Sequence, residues 1–131
     1  MVDVIKLAEA VTKEIEGAEL MYAPELDLKG IRELRVIVVP LGLGMKPFAR
    51  GYSEDSFKIQ IGLLKKATED DLPELINKLV TLGRSFVDKR LEDATCSKVE
   101  YAPLYSPEHL RERRQFTGVI ELTFKSVSPR K

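Results

Sequence analysis

The chain carries one cysteine, one histidine and no tryptophan in 131 residues. The single cysteine, Cys96, permits no internal disulfide and fits a reducing compartment. The single histidine, His109, excludes a two-histidine metal site within one chain, and Cys96 has no CxxC neighbour. No metal or cofactor is therefore expected. Net charge is absent too, since Lys+Arg and Asp+Glu are both 21. A dedicated nucleic-acid binder carries a basic excess, because phosphate neutralisation dominates its affinity, so no specific nucleic acid is expected. A near-neutral chain has little self-repulsion to oppose association, which leans toward protein partners. Long apolar runs are also missing. The longest spans Val36 to Val39, with Leu41 beyond Pro40, far too short to cross a bilayer. Asp3, Lys6 and Glu9 break up the start of the chain and leave no signal-peptide core. No membrane partner and a cytoplasmic location are the expectation.

The residues that are present suit one ordinary domain, 44% hydrophobic and 32% charged. Val4, Ala8, Val11 and Ile15 share a helical stripe over about residues 2–16, and Gly17 is a sensible stop. Residues 18–30 have no clean period and read as a connection, with room for one short extended piece. Residues 34–40 are β-branched on both alternating faces, which reads as a strand covered on both sides. Phe57, Ile59, Ile61 and Leu63 give a second strand with one apolar face. Asp71, Pro73 and Glu74 mark the start of the strongest helix, with Asp71 as N-cap. Its apolar stripe of Leu72, Leu75, Ile76, Leu79, Leu82, Phe86 and Val87 runs through about residue 91. Gly83 interrupts it, and close packing against the sheet is the expected reason. Residues 97–102 form a strand with Val99 and Tyr101 on one face, and Ser106-Pro107 opens a short charged helix over 107–113. Ile120, Leu122 and Phe124 define the last strand over 119–125, and residues 128–131 read as a frayed tail. The pattern predicts an α+β fold. It is a four-stranded, antiparallel-rich sheet with two helices packed on one face and a long loop between the first two strands.

Candidate chemistry is thin. Gly42 and Gly44 do not make a phosphate loop, because a strand follows them where a helix is needed, and Lys46-Pro47 lacks the hydroxyl of a P-loop. Glu69, Asp70 and Asp71 sit where acidic residues favour a helix N-terminus. Cys96 and His109 could in principle pair as nucleophile and base, but a small strand residue and a surface residue explain them more simply. Residues 41–55 depart most from expectation. Hairpin loops are normally about 2–5 residues, and longer ones tend to be functional. This stretch holds Leu41, Leu43, Met45 and Phe48, with Lys46 and Arg50 among them. It reads as a loop that folds back over the core, as a pair of extended hairpin arms, or as an adaptable apolar arm buried only against a partner. The last is favoured. Arg111, Arg113 and Arg114, nearly balanced by Glu108 and Glu112, read as a solvated helix or the polar rim of an interface.

Three stretches carry a resemblance to a known group. They are Leu28-Lys-Gly-Ile-Arg-Glu-Leu-Arg-Val-Ile-Val-Val-Pro40, Phe57-Lys-Ile-Gln-Ile-Gly-Leu-Leu-Lys-Lys66, and Leu104-Tyr-Ser-Pro-Glu-His-Leu-Arg-Glu-Arg-Arg-Gln-Phe-Thr117. Together they resemble the tail-terminator and tail-completion proteins of tailed phages and prophages, the last stretch being the most specific. The resemblance implies a non-enzymatic structural protein. Its copies form a ring, typically six-membered, on the head-proximal end of the tail tube, where it stops polymerisation and joins tail to head. The implied partners are itself, the tail-tube protein and the head-connector proteins, in the host bacterial cytoplasm during assembly and then in the virion neck. The implied interaction residues are Leu43, Met45, Lys46, Phe48, Arg50, Tyr105, His109, Arg111, Arg113 and Arg114. Two other classes stay open. One is an adaptor that binds protein by sheet-edge or loop contacts. The other is a small enzyme with an inter-subunit site using Cys96, His109 or Asp55.

Overall fold

The computed structural model describes residues 2–22 and 34–129. Helix α1 (Val4–Lys13) starts where the Asp3 carboxylate accepts the Ile5 N–H at 2.8 Å. It buries Leu7, Ala8 and Val11, and Gly17, at φ +77°, lets the chain reverse behind it. Strand β1 (Ala18–Leu20) follows, then β2 (Arg35–Ala49) and β3 (Tyr52–Lys66). A 3-10 turn at Glu69–Asp71 leads into α2 (Leu72–Arg84), with Pro73 in its first turn. Strands β4 (Arg90–Leu91) and β5 (Ala94–Tyr101), helix α3 (Pro107–Arg113) and strand β6 (Gln115–Pro129) complete the order.

The strands form one sheet in the order β1-β2-β3-β6-β5-β4, curled into a half-barrel. Among the described residues only the β1–β2 pair is parallel. The inner face carries the core. Phe57, Ile59, Ile61 and Leu63 of β3 and Phe116, Ile120, Leu122 and Phe124 of β6 meet Leu7 and Val11 of α1 and Leu75 and Leu79 of α2. On the outer face of β2, Ile37 and Val39 join Leu64 and Met21 in a second, small apolar cluster. Val36 to Val39 are thus buried on both faces, as their composition predicts.

The architecture corrects the expectation of four strands, two helices and a long loop. Among the described residues there are six strands and three helices, and the sheet is mixed. The predicted loop is strand. β2 and β3 pair continuously from Arg35↔Leu64 to Ala49↔Tyr52, so only Arg50 and Gly51 form the turn, with Gly51 at φ +81°. Two residues stand unpaired as bulges, Leu41 and Phe48, where the register shifts. β3 also pairs with β6 to its end, Tyr52 against Pro129, which places Ser128 in a strand, not in a frayed tail. Residues 130–131 of that tail lie outside the described residues, as do residues 23–30 of the predicted connection and residues 28–33 of the first resembling stretch.

Helix α2 ends earlier than its apolar stripe suggests. Ser85 caps it, its hydroxyl donating to the Leu82 carbonyl at 2.6 Å, and Asp88 turns the chain at φ 59°. Phe86 still reaches the core, but Val87 is 56% exposed. Asp71 holds the N-cap position of α2 as expected, but its carboxylate turns back to accept the Thr68 N–H at 3.0 Å and makes no capping bond to the helix. Among the described residues no helix is long and apolar enough to cross a membrane.

Candidate interaction surfaces

Past Pro40 the outer halves of β2, β3 and β6 run on together to the turn at Gly51; β5 accompanies β6 as far as Thr95↔Lys125, and beyond that three strands continue as a blade. Alternation and register decide which side each residue faces. Leu43 pairs with Phe57 and Met45 with Asp55, so both share the inner face, and Pro47 opposite Ser53 continues the stripe. Leu43 is 48% exposed and Met45 57%, so this stripe is open to solvent. Phe48, 59% exposed, sits on the bulge before the turn, and Arg50 is exposed in the turn. The five blade residues expected to make contacts therefore lie on one arm, but a paired arm. The adaptable loop that the composition suggested is absent.

The other side of the blade is a charged ladder. Lys46 and Lys125 both approach the half-buried Glu54 carboxylate at 3.5 Å, and Lys58 approaches Glu121 at 3.5 Å. Further along, Lys98 and Glu100 pair at 2.8 Å, each shifting the other toward its charged form. The solvent-exposed pairs among these contribute little to stability individually. Their alternating signs keep this face wetted and specific in register.

On the inner face of the blade Asp55 is 1% exposed. Its carboxylate accepts the Ser53 hydroxyl at 3.2 Å and the Ser128 hydroxyl at 3.1 Å. Both oxygens are thereby engaged, and the end of β6 is tied to β3.

The second surface lies at the other end of the long strands. Lys66 pairs with Gln115 there, 14 residues along β3 from Tyr52, roughly 45 Å at a strand's rise per residue. Helix α3 is capped by Ser106, whose hydroxyl accepts the His109 N–H at 3.2 Å, and it ends at Arg114 in the left-handed region, φ 49°. Between α3 and the start of α2 is an open cleft of about 890 Å³. Leu72, Tyr105 and Leu110 line it together with the charged Glu69, Arg111 and Arg114. Arg113 is exposed on α3 and is not among the residues that line the cleft. His109 is half-buried and acts as a tie between elements. Its Nδ1 shares a 2.8 Å hydrogen bond with the Thr117 hydroxyl, which also accepts from the Gln115 side-chain amide at 2.9 Å.

The residues considered for nucleophilic chemistry do not converge. Cys96 pairs with Phe124 on β6, whereas His109 is bonded to Thr117, seven residues away and roughly 23 Å along the strand. Cys96 is 1% exposed, its thiol donates to the Lys98 carbonyl at 3.6 Å, and burial pushes its pKa up. A thiol so placed is a poor nucleophile. Among the described residues no group of three or more His, Cys, Asp or Glu side chains could hold a metal ion.

Sequence reasoning missed two features. Tyr52 and Val127 add exposed apolar area to the blade, at 46% and 49%, and only the long pairing of β3 with β6 places them there. The cleft joins Leu72 and Glu69 to α3 across a distance in sequence that no local pattern reports. No family model matches the chain, and no curated protein matches it in sequence.

Proposed function

We propose that this protein is a tail terminator of a tailed phage or prophage. Its copies close the head-proximal end of the tail tube as a ring, end tube growth, and offer the head connector a surface to dock on. The observation that carries this reading is the placement of two chemically different surfaces at opposite ends of the same long strands. At one end is a paired blade with exposed Leu43, Met45 and Phe48. At the other is a mixed cleft in which Leu72, Tyr105 and Leu110 lie beside Glu69, Arg111 and Arg114. A subunit of a closed ring meets its neighbours through unlike patches, and one that sits between tube and head needs two separate faces. Aromatic, methionine and arginine side chains are the types enriched in such contacts. The resemblance of residues 57–66 and 104–117 to tail-terminator proteins supports the setting.

A second reading, an adaptor that accepts a strand, is favoured by one observation. Beyond Pro40 the outer side of β2 has no neighbouring strand among the described residues.

Deleting the gene from its phage separates these readings. A tail terminator leaves filled heads apart from over-long or irregular tails. Infectious particles with tails of normal length from the deletion would rule it out.

A further inference from the structure

Among the described residues the side of β2 beyond Pro40 has no neighbouring strand, and this free edge has a defined length and a defined chemistry. The Val38 carbonyl accepts the Met21 N–H at 2.9 Å, so the backbone polar groups of Val38 point toward β1 and away from β3. Alternation turns Pro40 the same way, and the bulge at Leu41 then shifts the pattern by one residue. Leu43, Met45 and Pro47 consequently direct their backbone groups outward, while Gly42, Gly44 and Lys46 face β3. Both prolines of β2 occupy outward positions, the only ones where a missing N–H costs no ladder bond. They leave one window, residues 41–46, able to donate to another strand.

We propose that this window pairs with the same window of a second copy of the chain, antiparallel and centred on Gly44. In that register Leu43 lies opposite the second copy's Met45, and each offers the other an outward N–H and carbonyl. The inner face then gathers both Leu43 and both Met45 side chains into one apolar patch. On the outer face Gly44 meets Gly44, and Lys46 lies over the bare backbone of the second copy's Gly42. Lys46 is the only charged residue on β2 beyond Arg35, so the register brings no like charges together. No other arrangement of the window about a two-fold axis places both outward-facing residues opposite each other without involving a proline. The contact buries less than the roughly 1,200 Å² of a stable complex, so the dimer is weak and exchanges at about micromolar concentrations. Because it covers Leu43 and Met45, it competes with any other use of this side of the blade. The inference concerns the isolated protein and does not depend on the phage setting.

Cysteine trapping tests it. Gly44 faces away from the new pairing, so two copies meet there as a non-hydrogen-bonded pair with Cα atoms about 4.5 Å apart, within disulfide range. A Cβ at Gly44 meets nothing within 4 Å, and Cys96 is buried, so the Gly44→Cys variant folds without a competing thiol. Under mild oxidation it should cross-link to nearly complete dimer, whereas Gly42→Cys, whose counterpart is Lys46, should cross-link at least tenfold more slowly. In sedimentation velocity the wild-type mass should rise from 14.8 kDa toward twice that value with concentration. Met45→Pro removes an outward N–H but no bond to β3, so it should stay monomeric with an unchanged circular dichroism spectrum. A wild-type chain that remains monomeric up to roughly 500 µM overturns the proposal. So does equal cross-linking at Gly42 and Gly44, or a folded Met45→Pro variant that dimerises like the wild type. If the wild-type chain stays monomeric but takes up a strand of another protein, the second-copy assignment is wrong.

Discussion

Tyr101 of β5 fills the space that a side chain at Gly83 of α2 would need. A Cβ built at Gly83 falls 2.7 Å from the Tyr101 Cζ, and the Tyr101 hydroxyl donates to the Val80 carbonyl at 2.9 Å. The glycine that weakens the helix therefore lets α2 lie close to the sheet. Gly83→Ala should be destabilising by about 1–3 kcal/mol in urea unfolding, although alanine has the better helix propensity by roughly 1 kcal/mol. The double variant Gly83→Ala/Tyr101→Ala should show strong coupling, since the second change removes what the first collides with.

Burial raises the Tyr101 phenol above its ordinary pKa near about 10. As pH rises, the unfolded chain loses this proton before the folded one. The stabilising contribution is intact below the unfolded pKa and is lost as pH climbs through the folded one. Stability should therefore fall above about pH 10. Tyr101→Phe should cost about 0.5–1.5 kcal/mol at neutral pH through the lost hydrogen bond, and it should flatten the alkaline decline. Unfolding curves across pH 8–11 (an interval of about three units around the phenol) read both effects.

Leu79 and Phe86 are 0% and 1% exposed, whereas Val87 is 56% exposed. Leu79→Ala and Phe86→Ala should each cost roughly 2–5 kcal/mol, and Val87→Ala should change stability by less than about 0.5 kcal/mol. Comparable losses at all three positions in urea titrations would mean that the helix continues past Arg84.

The Asp55 carboxylate holds the Ser53 and Ser128 hydroxyls in a buried setting. Asp55→Ala leaves both hydroxyls without their acceptor and should cost about 1–3 kcal/mol. Amide exchange should speed up first at residues 126–129, the end of β6 that this carboxylate ties down. Asp55→Asn keeps an acceptor and should lose less.

The helices and the centres of the long strands are legible in the sequence because their apolar periods are intact. Helix α3 is readable from Ser106 and Pro107, a hydroxyl cap followed by a residue suited to the first turn. The outer half of β2 is not readable. Pro40, Gly42, Gly44 and Pro47 carry poor strand propensity, and the bulges at Leu41 and Phe48 break the alternation twice. Pairing with β3 overrides these local preferences. The β4–β5 hairpin is hidden for another reason. Its two-residue turn, Glu92 and Asp93, has both residues at positive φ, 49° and 63°, where Asn-Gly would be the usual signal. Of the candidate surfaces, exposed Leu43, Met45 and Phe48 could be found from composition. The cleft could not, because it depends on how α2 and α3 meet across the end of the sheet.

The most direct test of the central claim is electron microscopy of tail-tube protein polymerising with and without this protein. The account predicts tubes of limited length carrying a ring of extra density at one end. The variant Leu43→Ser/Met45→Ser/Phe48→Ser, folded by circular dichroism, should leave the tubes long and bare. Tubes of the same length distribution with and without the wild-type protein, and no terminal density, would contradict it.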